Sequence, residues 1–201
     1  MAKVLIAFYS RDGSTEALAQ AISDGATAAG GEVRLRRVRE LVDDATMGFV
    51  PGWKEAADRM NSAYEAPSVA DAEWADAIIL GSPTRFGLLA SELKAFLDSL
   101  GALWFQGKLA GKVGSAFTSS SSLHGGNEIN NLTMFVPMAH FGMIIVPPGY
   151  ADPAMFKAGT PYGASSVSYG GSKAPPTEDD LASARFQGKR VVEVASALVT
   201  A

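Results

Sequence analysis

The run Ser10-Arg11-Asp12-Gly13-Ser14-Thr15 joins a short apolar stretch to an alanine-rich, helix-like one. Such a junction places the N-terminus of a helix, with its unpaired backbone N–H groups and partial positive charge, where an anion can meet it. Hydroxyls at Ser10, Ser14 and Thr15 add donors, and Gly13 allows close backbone approach. Together these suit a phosphate. A plain N-cap with a polar turn has the same pattern, and Asp12 would repel a phosphate unless it points away or meets Arg11.

Two further runs have the same setting, each directly after an apolar stretch. Gly81-Ser82-Pro83-Thr84-Arg85-Phe86-Gly87 is a rigid turn whose backbone N–H groups can bond the edge of a planar heterocycle, with Phe86 or the Arg85 stem over a face. It also reads as an ordinary strand-to-helix connection with a hydrophobic anchor. Thr118-Ser119-Ser120-Ser121-Ser122-Leu123-His124-Gly125-Gly126 reads as a polar ligand loop or as a solvated linker. Three such loops after three different strands carry more weight than any one of them.

The elements that must position these loops are legible as apolar runs. Residues 4–9 (VLIAFY) are apolar throughout, as in a strand buried on both faces. Residues 77–80, 113–117 and 143–146 repeat the pattern, and residues 32–38 form a more charged fifth strand, expected at the sheet edge. Helical patterns lie between them at 15–29, which ends at Gly30-Gly31, and at 91–100, with Leu93, Phe96, Leu97 and Leu100 on one face. A last helix opens on a Thr177/Asp180 capping box and carries a stripe from Leu181 through Ala184, Gly188, Val191 and Ala195 to Leu198. Strands alternating with helices predict an α/β fold: a doubly wound, five-stranded parallel sheet, order 2-1-3-4-5, with helices on both faces. That flavodoxin-like order binds ligands beyond the C-terminal ends of its strands, where all three loops fall. Residues 1–201 are expected to form one domain, with insertions at 42–68 and 147–176; the first contains a short helix near 54–61, and the second is rich in proline, glycine and aromatics.

Composition narrows the chemistry. The formal net charge is -4, and that mild acidity argues against a nucleic-acid surface, which needs clustered Lys and Arg. No apolar run is long enough to span a membrane, and the chain is expected to be cytoplasmic. It has no cysteine and only two histidines, His124 and His140. Thiolate catalysis and disulfides are excluded, and no metal site is expected. Redox chemistry would therefore need a bound cofactor. No G-x-G-x-x-G follows the first strand, so a dinucleotide fingerprint is absent.

The blocks MAKVLIAFYS, GSPTRFG (81–87), LW (103–104), AHFGMIIVPPGY (139–150), GTPYGASSV (159–167) and ARFQGKRV (184–191) resemble the WrbA family, over nearly the whole chain. That family comprises FMN-dependent NAD(P)H:quinone oxidoreductases of flavodoxin-like fold. The resemblance implies that Ser10–Thr15 holds the FMN phosphate, that Pro83-Thr84-Arg85-Phe86-Gly87 contacts the isoalloxazine, and that Ser119 to Gly125 wraps its other side. It matches His140 to a histidine near the flavin. It matches Trp104 to an aromatic lining the substrate site, supplied by a neighbouring subunit of a homotetramer. The implied reaction is ping-pong: NAD(P)H gives hydride to flavin N5, and a quinone then takes two electrons. His140 would orient substrate or deliver a proton, imidazole being a side chain that can take up and give back a proton; a packed histidine at a helix end is the plain alternative. The chain departs from the family at Asp12, where an aromatic often contacts the nicotinamide nucleotide, and in the third loop, which lacks the usual run of glycines and carries an extra residue around Leu123-His124. The rival function is a flavodoxin-type electron carrier with no quinone substrate of its own. Nothing in the sequence supports a repressor partner.

Overall fold

The computed structural model describes residues 1–170 and 173–199. Strand β1 (Lys3–Phe8) runs through the middle of a parallel sheet and alternates its side chains between two cores. Val4, Ile6 and Phe8 enter one; Leu5, Ala7 and Tyr9 enter the other. This two-sided burial explains why residues 4–9 are apolar without alternation. The order is β2-β1-β3-β4-β5, with β2 (Glu32–Arg37), β3 (Ala77–Pro83), β4 (Val113–Ser120) and β5 (Ile144–Ile145). This is the expected 2-1-3-4-5 order, and the charged strand β2 lies at the edge. A sixth strand, β6 (Ser165–Val167), pairs with the far end of β4, Thr118 opposite Ser165 and Ser120 opposite Val167. It comes from the 147–176 segment, where the sequence predicts no strand. Its pairing draws Ser119 and Ser120 into β4, so the third ligand run is part strand and part loop.

Helices α1 (Ser14–Ala28) and α9 (Glu178–Val199) cover one face; α4 (Val69–Trp74), α5 (Ser91–Ser99) and α7 (Asn127–His140) cover the other. The α1/α9 contact is close because two glycines meet it. A Cβ on Gly188 would lie 2.0 Å from the Ile22 carbonyl oxygen, and one on Gly25 would lie 1.9 Å from that of Arg185. Fully buried Gln187 then ties α9 to the sheet. Its amide nitrogen donates to Ser115 Oγ and the Ala116 carbonyl, both at 2.8 Å, and its oxygen accepts from Ala164 N at 2.8 Å. The Thr177/Asp180 capping box forms with both of its reciprocal bonds.

The 42–68 insertion holds α2 (Asp44–Met47) and α3 (Trp53–Ala63), the second longer than its predicted core; α6 (Gly101–Phe105) follows α5, and α8 (Pro153–Ala158) lies in the second insertion. Gly171 and Ser172 of that insertion lie outside the described residues. Among the described residues, no helix is long and apolar enough to cross a membrane.

Candidate functional site

The first loop is built from its backbone outward. Gly13 takes φ 108° and caps α1, a left-handed value that suits glycine. Its N–H donates to Ser10 Oγ at 3.1 Å, and Ser10 is buried, so that hydroxyl shapes the turn. Arg37 Nη2 donates to the Ser10 carbonyl at 2.9 Å. In a trans peptide C=O and N–H point oppositely, so this bond turns the Arg11 N–H away from Arg37. The first-turn N–H groups of α1, including those of Ser14 and Thr15, have no intrahelical acceptor. Thr15 Oγ1 meets Ser119 Oγ at 2.8 Å, joining the first loop to the third.

The second and third runs are joined in turn by Thr84 N, which donates to the Ser119 carbonyl at 2.8 Å. Thr84 Oγ1 accepts from Gly87 N at 3.1 Å, and Arg85 bridges Leu88 across the turn. Phe86 at its tip has φ 55° and is fully exposed. A bulky aromatic held in the left-handed region with no burial to compensate is a mark of a functional position. Beneath, Thr118 Oγ1 donates to the Ser82 carbonyl at 2.7 Å, and Asn130 Nδ2 donates to that same oxygen at 3.1 Å.

A polar cavity of about 240 Å³ opens between the loops. From the predicted residues it is lined by Arg11, Asp12 and Ser14, by Pro83, Thr84 and Arg85, and by Ser119, Ser120 and Ser121. Ser168 joins them from the segment after β6, its N–H held by the Ser120 carbonyl at 2.9 Å. Among the described residues neither Arg11 nor Arg85 has a carboxylate within salt-bridge distance. Arg11 instead stacks on the Trp53 ring at 3.8 Å. Burial and then the Arg11 charge pull the Arg85 guanidinium below its ordinary pKa. Beside them the buried Tyr9 phenol is pushed up to about 12, by burial first and then by Glu92 and Glu40, so it stays a neutral hydroxyl. Two half-buried guanidiniums without counter-ions, free helix-start N–H groups and clustered hydroxyls make a fitting receptor for a phosphate ester. Exposed Asp12 lines the same cavity and does not pair with Arg11.

The remaining predicted residues lie elsewhere. Ser122, Leu123 and His124 are exposed at the tip of the third loop, where the Ser122 carbonyl accepts from Ser120 Oγ and Gly125 N. His140 and Trp104 are brought together, Trp104 Nε1 donating to the His140 carbonyl at 3.0 Å. They share an apolar groove of about 830 Å³ between α5 and α7 and do not line the polar cavity of their own chain. The sequence reading missed Arg37, Trp53, Ser168 and the Glu16–Arg59 pair. Arg37 stands in the charged run Arg36–Glu40, which reads as a solvated edge, and nothing local marks Ser168 or the distant partners of Glu16.

Residues 3–155 match the family model described as NADPH-dependent FMN reductase. The chain is 42% identical to an Azorhizobium caulinodans protein named NAD(P)H dehydrogenase (quinone), covering 98% of this chain and 99% of that one. It is 43% identical to a Deinococcus radiodurans protein of the same name, covering 98% and 97%. Among solved structures it is similar to a flavodoxin, WrbA-like protein from Agrobacterium tumefaciens, with TM-score 0.69, 25% identity and coverage of 98% and 99%. An archaeal flavodoxin shares the fold, with TM-score 0.62 and 20% identity over 96% of this chain and 99% of that one. The chain belongs to the NADPH-dependent FMN reductase family, and the WrbA membership implied by its motifs holds.

Proposed function

We propose that this chain is an FMN-dependent NAD(P)H:quinone oxidoreductase. The observation that carries the reading is the polar cavity at the C-terminal ends of β1, β3 and β4, lined by two guanidiniums that have no carboxylate partner among the described residues, with the exposed, strained Phe86 next to Arg85 in the chain. The name shared by the Azorhizobium and Deinococcus relatives supports the two substrates. When bound, FMN supplies a ring that accepts a hydride at N5 and passes two electrons on, in a ping-pong cycle.

The chain's own residues bind and orient. Ser10 to Thr15 hold the phosphate through backbone N–H groups, Ser14 and Arg11. The 83–87 turn and the 119–125 run flank the ring, and their N–H groups stabilise negative charge at its edge. Phe86 offers a stacking surface at the rim. Residues 1–201 act as one domain. His140 and Trp104, which line the α5/α7 groove and not the polar cavity of their own chain, serve the site of a neighbouring copy in a homotetramer. Half-exposed Trp104 and the apolar α5/α7 groove around it support that arrangement.

Steady-state oxidation of NADH and NADPH by the FMN-loaded protein, with benzoquinone as acceptor, tests the function. Parallel double-reciprocal lines are expected. Tight FMN binding without quinone-dependent NAD(P)H oxidation would instead indicate an electron carrier. His140→Ala is expected to change kcat or the quinone KM, and unchanged values for both substrates remove His140 from the mechanism. A Trp104 variant shown to be monomeric should keep FMN and lose quinone affinity, and retained affinity contradicts the shared site.

A further inference from the structure

Glu16 occupies the first turn of α1, inside the group of free N–H donors that forms the anion site. It is buried, and it folds back over the loop: a Cβ on Gly13 would lie 3.8 Å from Glu16 Oε2. A carboxylate there draws on the same partial positive charge that a phosphate would use. Left unpaired, it would also repel a phosphate dianion.

Helix α3 answers that charge. Arg59 Nη1 and Nη2 donate to Glu16 Oε1 and Oε2 at 2.9 and 2.5 Å, a two-pronged pair, and Tyr64 Oη donates to Oε1 at 3.0 Å. Burial alone would raise the Glu16 carboxyl; the bonds from Arg59 and Tyr64 outweigh it and hold the group below its ordinary value, ionised at neutral pH. The charged and titratable groups facing Glu16 are Arg59 of α3, Tyr64 beyond it and Arg37 of β2. The same insertion reaches the loop twice more, once directly and once through Arg37. Trp53 stacks on Arg11, and Asn61 Oδ1 accepts at 2.5 Å from the Arg37 that holds the Ser10 carbonyl.

We propose that Arg59 is the counter-ion that lets this loop accept a doubly charged phosphate ester, so that the 42–68 insertion sets affinity for the phosphate end of the cofactor and not for its ring. The inference rests on the reading that residues 10–15 hold the FMN phosphate. Arg59 acts through Glu16, as a positioning residue, and its signature is the ratio of FMN to riboflavin affinity.

The test is fluorescence-quenching titration of the full chain with FMN and with riboflavin, for wild type, Arg59→Met, Glu16→Gln and the double variant. Near pH 8, Arg59→Met is expected to weaken FMN about tenfold or more while riboflavin stays within about twofold. Near pH 5.5 the loss, relative to wild type at that pH, shrinks, because burial no longer opposed by Arg59 lets the Glu16 carboxyl take a proton. The double variant recovers FMN affinity to within about threefold of wild type, the repelling charge having gone. Glu16→Gln alone leaves FMN binding equal or tighter, which serves even if Arg59→Met does not fold. Equal losses for FMN and riboflavin in Arg59→Met, a persistent FMN loss in the double variant, or weakened FMN binding in Glu16→Gln overturns the proposal. A wild type that ignores FMN overturns the functional reading and this one with it. A wild type that binds FMN beside an Arg59→Met that binds it equally overturns this one alone.

Discussion

Replacing Gly13 by alanine separates the backbone of the phosphate loop from everything around it. At φ 108° an alanine is strained, while its Cβ would find only Glu16 Oε2, at an ordinary 3.8 Å. The cost is therefore conformational, about 1–2 kcal/mol. For a chain of this size that lowers Tm by roughly 2–8 °C. Gly30, at the far end of α1, is a matched control: its φ is 84° and a Cβ there meets nothing within 4 Å. Gly30→Ala should cost similar stability and leave ligand binding alone. Gly13→Ala relieves its strain by rotating the turn, which swings the N–H groups of the loop off a bound phosphate. Loss of one charge-assisted hydrogen bond, about 1.5–3 kcal/mol, weakens FMN by roughly tenfold to a hundredfold. Calorimetric titration with FMN and riboflavin, beside thermal melts of both variants, reads the contrast. If Gly13→Ala melts lower yet binds FMN as wild type does, the loop backbone does not hold the phosphate.

Other expectations follow from packing and charge. Gly188→Ala drives a Cβ to 2.0 Å from the Ile22 carbonyl and should cost about 3 kcal/mol by urea unfolding, against little if α9 can slide. Phe86→Ala, at a fully exposed position, should change stability by less than about 0.5 kcal/mol and raise the quinone KM; an unchanged KM places the quinone elsewhere. Glu16 and Asp71 both titrate below their ordinary values of 4.5 and 3.8: burial raises each, and hydrogen bonds outweigh it. A carboxyl lowered by folding contributes stability above its unfolded pKa and loses it as pH falls through the folded one. The urea midpoint should thus hold from neutrality to about pH 5 and fall below about pH 4; a midpoint that rises on acidification contradicts the ion pairs.

The sheet was readable because burial on both faces leaves an unbroken apolar run, as in residues 4–9, and no other context for such a run fits so short a length. The phosphate loop was readable because its donors are contiguous in the chain. What stayed hidden is what distance in sequence separates. Strand β6 is three residues, Ser165–Val167, whose only strand signal is the ladder of β4 beside it. Arg37 looks like one more charge on an edge strand until the insertion folds over it and removes it from water, against Glu40, Asn61 and the Ser10 carbonyl. His140 and Trp104 carry no local sign of one another, lying 36 residues apart. Ser10 was legible as a hydroxyl beside a phosphate, yet the structure turns that hydroxyl inward to Gly13, where it shapes the site.

The proposed activity has the chain hold FMN and move electron pairs from NAD(P)H to a quinone. Anaerobic absorbance of the FMN-loaded protein reads each half of that cycle. Addition of one equivalent of NADPH or NADH should bleach the flavin band in full, and one equivalent of benzoquinone should restore it. A flavin that binds yet keeps its band with both nucleotides, or that bleaches and is not restored by the quinone, would rule out a quinone reductase.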